Sequence, residues 1–201
     1  TLNRQDTVIT FVARHLEPYR GFHVFMRALP DLLRRLPSAQ IIIVGDEAEG
    51  YGPLPGRHAT WREILTQEVQ ASISAQDWQR VHFLGRVNRA TFTKVLQLST
   101  VHVYLSYPFV LSWSLLEAMS AGCAIVASDT APVREVIEHG REGLLVDFFD
   151  KNALVESICQ LKQHPSQRRT LGEAARKSAI SRFDLRTVCL PAQLKWIQSL
   201  G

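Results

Sequence analysis

Short runs of β-branched and apolar residues recur along this chain and alternate with stretches of helical period, and no other feature limits its fold as strongly. The runs are VITFVA (8–13), QIIIVG (40–45), VHFLG (81–85), VHVYLS (101–106), CAIVAS (123–128) and GLLVDF (143–148). Most are apolar on both faces, as strands of a parallel sheet covered by helices are. Between them lie FHVFMRALPDLLRRL (22–36), WREILTQEVQASI (61–73), ATFTKVLQLS (90–99), SLLEAMSA (114–121) and PVREVIEHG (132–140), the last stopping at Gly140. This alternation predicts an α/β fold, a Rossmann-like, doubly wound parallel sheet of about six strands with right-handed crossovers. After residue 150 the pattern is helical through Leu200, which predicts one domain over 1–201 with a helical C-terminal tail at 151–200. Pro30 should kink or split the first helix. The stretch DEAEGYGPLPGRHAT (46–60) is the long irregular segment, and loops of that length are functional or mobile.

With 201 residues, 46% hydrophobic and 21% charged, the chain is long enough to bury a covered sheet. The net charge of +4 is spread along it without aromatic–basic interleaving, so no nucleic-acid partner is expected. Cys123, Cys159 and Cys189 are far apart, and neither C-x-x-C nor H-E-x-x-H spacing occurs. Neither a zinc site nor a disulfide framework is expected, and Cys123 reads as a core thiol in a reducing, cytoplasmic setting. Nothing at the start resembles a signal peptide. The apolar stretch Val101–Leu116 is broken by Pro108 and, at about 16 residues, is shorter than the roughly 20 of a spanning helix. QRRTLGEAARK (167–177) reads either as a solvated helix face or as a basic patch in peripheral contact with the inner face of a membrane.

Two segments carry candidate chemistry. ARHLEPYRG (13–21) follows the first strand and places Arg14 and Arg20 in a loop where a helix N-terminus also offers free amides. Such a loop either binds an anion or holds two solvated arginines. No G-x-G-x-x-G and no G-x-x-x-x-G-K-[ST] occurs, so dinucleotide and P-loop chemistry are unsupported. SYPFVLSWSLLEAMSAG (106–122) opens a helix after the fourth strand, with Ser112 or Ser114 able to cap it. Amides near Trp113 and Ser114 would face the same end of the sheet as the arginines. Glu117, about one turn in, is either an exposed acid near the positive helix end or an acceptor for a vicinal diol such as ribose.

Together these segments resemble the nucleotide-sugar-binding half of the GT-B glycosyltransferases, specifically glycosyltransferase family 4, over nearly the whole chain. The resemblance is carried by Arg14, Arg20 and Gly21 after the first strand, by IIIVG and VHFLGRV, and by LLEAMSAGCAIVASD and PVREVIEHGREGLLVD. It implies that Arg14 and Arg20 pair with the donor diphosphate, Arg20 standing where a lysine is usual. It implies phosphate contacts from the backbone at Trp113 and Ser114, ribose contacts from Glu117, and a base bordered by Gly85, Arg86 and Val87. The implied activity is retaining transfer of a sugar, of hexosyltransferase type, from a nucleotide diphosphate-sugar to a carbohydrate or lipid-linked acceptor, as in bacterial polysaccharide biosynthesis. An N-terminal acceptor domain is absent from this chain, so the domain should be inactive alone. No cofactor is implied, and because no D-x-D occurs no metal is expected. One position departs from the pattern: the family carries E-x7-E, and its first glutamate is here Phe109. Phenylalanine accepts no hydroxyl hydrogen bond, so either sugar handling changes or Phe109 packs the loop of an otherwise ordinary enzyme. A non-catalytic nucleotide-sugar-binding module and a GT-B epimerase or phosphorylase remain the alternatives.

Overall fold

The computed structural model describes residues 2–3, 5–56 and 59–200. Six strands, β1 (Val8–His15), β2 (Gln40–Asp46), β3 (Val81–Phe83), β4 (Val101–Tyr104), β5 (Ile125–Ser128) and β6 (Leu144–Val146), form one sheet in the order β3-β2-β1-β4-β5-β6. Every pairing is parallel, with Ile9 opposite both Ile41 and Val101 in register. The expected α/β architecture is therefore present.

Alternation along β1 builds both faces. Ile9, Phe11 and Ala13 pack under α1 (Phe22–Arg35) and α7 (Lys151–Gln163), with Phe25 stacked on Phe11 at a centroid distance of 4.8 Å. Val8 and Val12 face the other way, towards Val95 of α4 (Arg89–Leu98). Beyond β4 that second face continues under α5 (Trp113–Ala121) and α8 (Pro165–Phe183), through Tyr104, Ile125, Leu115, Met119 and Ala175. Cys123 lies in this cluster, and burial pushes its thiol up to about 12, as suits an inert core group.

Several expected boundaries move. α1 runs unbroken through Pro30, because its buried stripe of Phe22, Phe25, Met26, Leu29 and Leu32 outweighs the one backbone hydrogen bond that proline removes. The helix expected at 61–73 is α2 (Trp61–Gln70), started by a Thr60–Glu63 capping box, followed by a separate turn, α3 (Ala75–Trp78). The helix expected at 132–140 is only α6 (Ala131–Arg134). The buried Glu142 carboxylate takes the amide of Glu138 at 3.0 Å, and Gly140 adopts φ 79°, so the chain turns into β6 instead. The tail is helical as expected, with a π-helical turn (Leu185–Cys189) joining α8 to α9 (Leu190–Gln198). No helix among the described residues is long and apolar enough to cross a membrane.

His102 of β4 and Thr10 of β1 are fully buried partners in register, joined at 2.8 Å through the imidazole Nδ1. Burial pushes the His102 imidazole from 6.5 down to about 4. Because the folded value is depressed, the unfolded chain binds the proton first. The stability due to the neutral ring is thus complete above pH 6.5 and is lost as pH falls towards 4. Urea midpoints measured across that window should fall more steeply for the wild type than for His102→Gln. The difference should approach about 1.4 kcal/mol per pH unit, and equal slopes would remove His102 from this account.

Candidate functional site

The chain leaves β1 towards β2 on one side and returns to β4 on the other, so the loops after β1 and β4 diverge at the carboxyl end of the sheet. A crevice opens at such a reversal. Here it is a cleft of 350 Å³, lined by Arg14 and His15 at the end of β1, Asp46 at the end of β2, Arg86 and Val87 after β3, and Ser112, Trp113, Ser114 and Glu117 at the start of α5. Gly85 adjoins it with φ 62°, and its carbonyl accepts the Gly45 amide at 3.1 Å, stitching the β3 loop to β2.

The start of α5 is set from below. The buried Tyr104 hydroxyl accepts the Ser112 amide at 2.8 Å, and the Ser112 side chain caps the helix through Ser114. The positive helix end therefore faces the cleft beside the exposed guanidinium of Arg14. Glu117 lies one turn further in, on the cleft wall, and forms an ion pair with Arg89 at the start of α4. The Ala48 and Glu47 amides, with smaller contributions from His15 and Arg86, hold the Asp46 carboxyl below the usual range. Among the described residues no three His, Cys, Asp or Glu side chains converge to hold a metal ion.

Of the residues singled out from sequence, Arg14, Arg86, Val87, Trp113, Ser114 and Glu117 line one cleft, with Gly85 adjoining. Arg20 and Phe109 do not line it. Arg20 is turned inward beneath Phe109 and Tyr51, 5.6 and 5.2 Å from their ring centroids. His15, Asp46 and Arg89 escaped sequence reasoning, although each sits at or just beyond the carboxyl end of a strand. A larger depression of 570 Å³ near β6 is lined by Asp129, Arg134, Arg141 and Arg182, among others. Its arginines are already engaged: Arg134 with Asp129, Arg141 with Glu138, and Arg182 with the Glu135 and Val136 carbonyls. It offers no free charge comparable to that of Arg14.

The two diverging loops touch at Gly21, which adopts φ 69°, and a Cβ there would collide with the Leu105 side chain. Gly21→Ala should therefore cost about 2 kcal/mol or more in chemical denaturation, through both the steric clash and the left-handed backbone. A change below about 0.5 kcal/mol would mean that the loops can separate freely.

Residues 1–178 match the family model described as glycosyl transferases group 1. The chain is 30% identical, over 90% of its length, to phosphatidyl-myo-inositol mannosyltransferase of Mycolicibacterium smegmatis, of which it covers 42%. Among solved structures it is similar to HepE of Anabaena in complex with UDP and glucose, at 25% identity and TM-score 0.80, covering 98% of this chain and 49% of that one. It is also similar in fold to sucrose-phosphate synthase of Thermosynechococcus elongatus, at 23% identity and TM-score 0.81, covering 99% of this chain and 47% of that one. The chain thus spans less than half the length of these relatives.

Proposed function

The chain belongs to the glycosyl transferases group 1 family, and we propose that it is the donor-binding half of a GT-B glycosyltransferase that holds a nucleotide diphosphate-sugar. The observation that carries this reading is the convergence of Arg14, the positive end of α5 and Glu117 on one cleft at the strand-order reversal. The diphosphate lies between the Arg14 guanidinium and the amides at Trp113 and Ser114, and the ribose hydroxyls donate to Glu117. The base rests against Arg86 and Val87. The UDP in the solved complex of HepE supports uridine as the base to try first.

Transfer breaks the bond between the sugar's anomeric carbon and the diphosphate oxygen and forms one to an acceptor hydroxyl oxygen, whose proton passes to the departing diphosphate. Arg14 and the helix end offset the charge that grows on the leaving diphosphate. Retention at the anomeric carbon, a hexosyl donor and a carbohydrate or lipid-linked acceptor complete the proposal. A second domain supplies the acceptor side of the cleft, and the reaction runs in the cytoplasm. The shared length with relatives supports the two-domain reading, since the chain covers 42% of the mannosyltransferase.

UDP at a hundred times its Kd should add about 2.7 kcal/mol of stability. Melting curves with a panel of nucleoside diphosphates and nucleotide sugars test this, and no shift at millimolar concentration would end the donor-site reading. Arg14→Ala should weaken UDP binding by about one to two decades while leaving uridine unaffected, because it removes one charge-assisted phosphate contact. Equal losses for both ligands would assign Arg14 to folding.

Glu117→Gln keeps the side-chain shape but loses charge and half the acceptor capacity. It should weaken UDP binding by about tenfold and leave its 2′,3′-dideoxy analogue little changed, as calorimetry would show. If both ligands bind the variant as they bind the wild type, Glu117 is a surface acid held by Arg89.

A further inference from the structure

Six aromatic rings from four loops form a row at the carboxyl end of the sheet, and the contacts assigned above to base, ribose and phosphate use none of them. Tyr19 follows β1, Tyr51 follows β2, Tyr107 and Phe109 follow β4, and Phe148 and Phe149 follow β6. Along the row Tyr51, Phe109, Tyr19, Tyr107, Phe148 and Phe149, successive centroids lie 4.8, 6.4, 6.4, 5.7 and 4.9 Å apart. The row is not core: Tyr51 is 56% exposed, Phe109 37% and Phe149 67%.

The Tyr51–Phe109 end of this row adjoins the cleft. Phe109 and Val110 lead into Ser112 and Trp113, which line the cleft wall. Beneath the pair lies the Arg20 guanidinium, 5.2 Å from the Tyr51 centroid and 5.6 Å from that of Phe109. Its Nη1 donates to Ser106 Oγ and the Val110 carbonyl, while Nε and Nη2 have no partner among the described residues. A cation with donors to spare thus stands under the rings, and Arg14 stands in the cleft beside them. Both rings are also fixed in advance. The Tyr51 amide is held by the buried Glu17 carboxylate at 2.9 Å, and the Phe109 ring packs on Tyr51 and Tyr19. Rigid aromatic surface loses little conformational entropy when a ligand covers it.

We propose that the exposed sides of Tyr51 and Phe109 bind the sugar of the donor through the C–H face of its pyranose ring, and so govern which sugars the site accepts. A diphosphate drawn towards Arg14 and Arg20 carries its sugar to these rings. A pyranose whose hydroxyls are equatorial turns axial C–H bonds outward on both faces, and an aromatic ring removes that surface from water without any carboxylate. An axial hydroxyl on the covered face would instead be desolvated against a ring. The sugar class selected is a hexose of equatorial pattern, such as glucose or its 2-acetamido derivative. This inference rests on the donor-site reading and names the substrate class of that site.

The test is paired titration of this chain with UDP, UDP-glucose and UDP-N-acetylglucosamine. In the wild type at least one of the two sugars should tighten binding about three- to tenfold over UDP. Phe109→Ala and Tyr51→Ala should each remove most of that gain and leave UDP affinity as it is. Phe109→Tyr and Tyr51→Phe keep a ring and should keep the gain, and Phe149→Ala, at the far end of the row, should behave as the wild type. In saturation-transfer NMR, irradiating the protein's aromatic protons should mark the sugar ring protons in the wild type and fail to do so in the double variant Tyr51→Ala, Phe109→Ala. No gain from either sugar in the wild type would overturn the proposal, and so would an unchanged gain in both alanine variants. A loss of UDP affinity as large as that of the nucleotide sugar would also overturn it, by making the rings supports for Arg20. If UDP itself does not bind, the donor-site reading falls first and this inference with it.

Discussion

β1 is hydrogen-bonded on both edges, to β2 and to β4, and the site exists because of that double pairing. Inside such a parallel sheet both faces are covered by helices, and Val8 to Ala13 is buried throughout, its one polar residue, Thr10, bonded to His102. The chain can reach β2 and β4 only by leaving the sheet in opposite directions. The ends of β1 and β4 therefore become the walls of a gap that no helix fills. Gly21 lets the two walls meet at one point against Leu105, and from there outwards they separate.

Electrostatics then distinguishes this gap from other concavities. In the depression near β6 Arg134 and Arg141 are paired with carboxylates and Arg182 donates to backbone carbonyls, so their donors are already engaged within the protein. In the cleft Arg14 remains exposed and the start of α5 points its dipole inwards. The two acids there differ in kind. Glu117 is compensated by Arg89 and keeps acceptor capacity along the wall, whereas Asp46 is stabilised as an anion mainly by the Ala48 and Glu47 amides. A ligand with a phosphate at one end and hydroxyls at the other matches this separation of cation and acid.

Strand existence was legible because burial on both faces leaves a continuous apolar run, which IIIV of β2 displays in full. Strand ends were less legible, because a polar backbone contact decides them. CAIVAS reads as a strand from Cys123, but Cys123 still donates its amide to Ala118 and completes the end of α5 after Gly122, at φ 77°. GLLVDF likewise stops at Val146, where the Asp147 carboxylate takes the Phe149 amide and starts a turn. The grouping of Arg14 with Glu117 could be read from order alone, since both follow strands at one end of the sheet. The inward swing of Arg20 could not, because it depends on which loop oxygen lies within reach of a long side chain. Arg89 was hidden for the same reason, lying 28 residues from its partner.

The two positions at which the sequence departs from the pattern it resembles, Arg20 and Phe109, are neighbours in space, with the guanidinium carbon 5.6 Å from the Phe109 centroid. That contact makes the two departures fit one another physically. A guanidinium is planar, weakly hydrated and able to stack on a ring while its edge donates hydrogen bonds, whereas an ammonium presents a compact, strongly hydrated charge. Arg20 uses its edge for Ser106 and Val110 and its face for Tyr51 and Phe109. Lysine at 20 would keep one or two of the hydrogen bonds and lose the stacking. Glutamate at 109 would set a carboxylate beside a guanidinium that already has partners, in place of the ring that packs against Tyr51 and Tyr19. Lysine at 20 or glutamate at 109 would each change the contact between the loops, so the two side chains act as one packed unit beside the cleft.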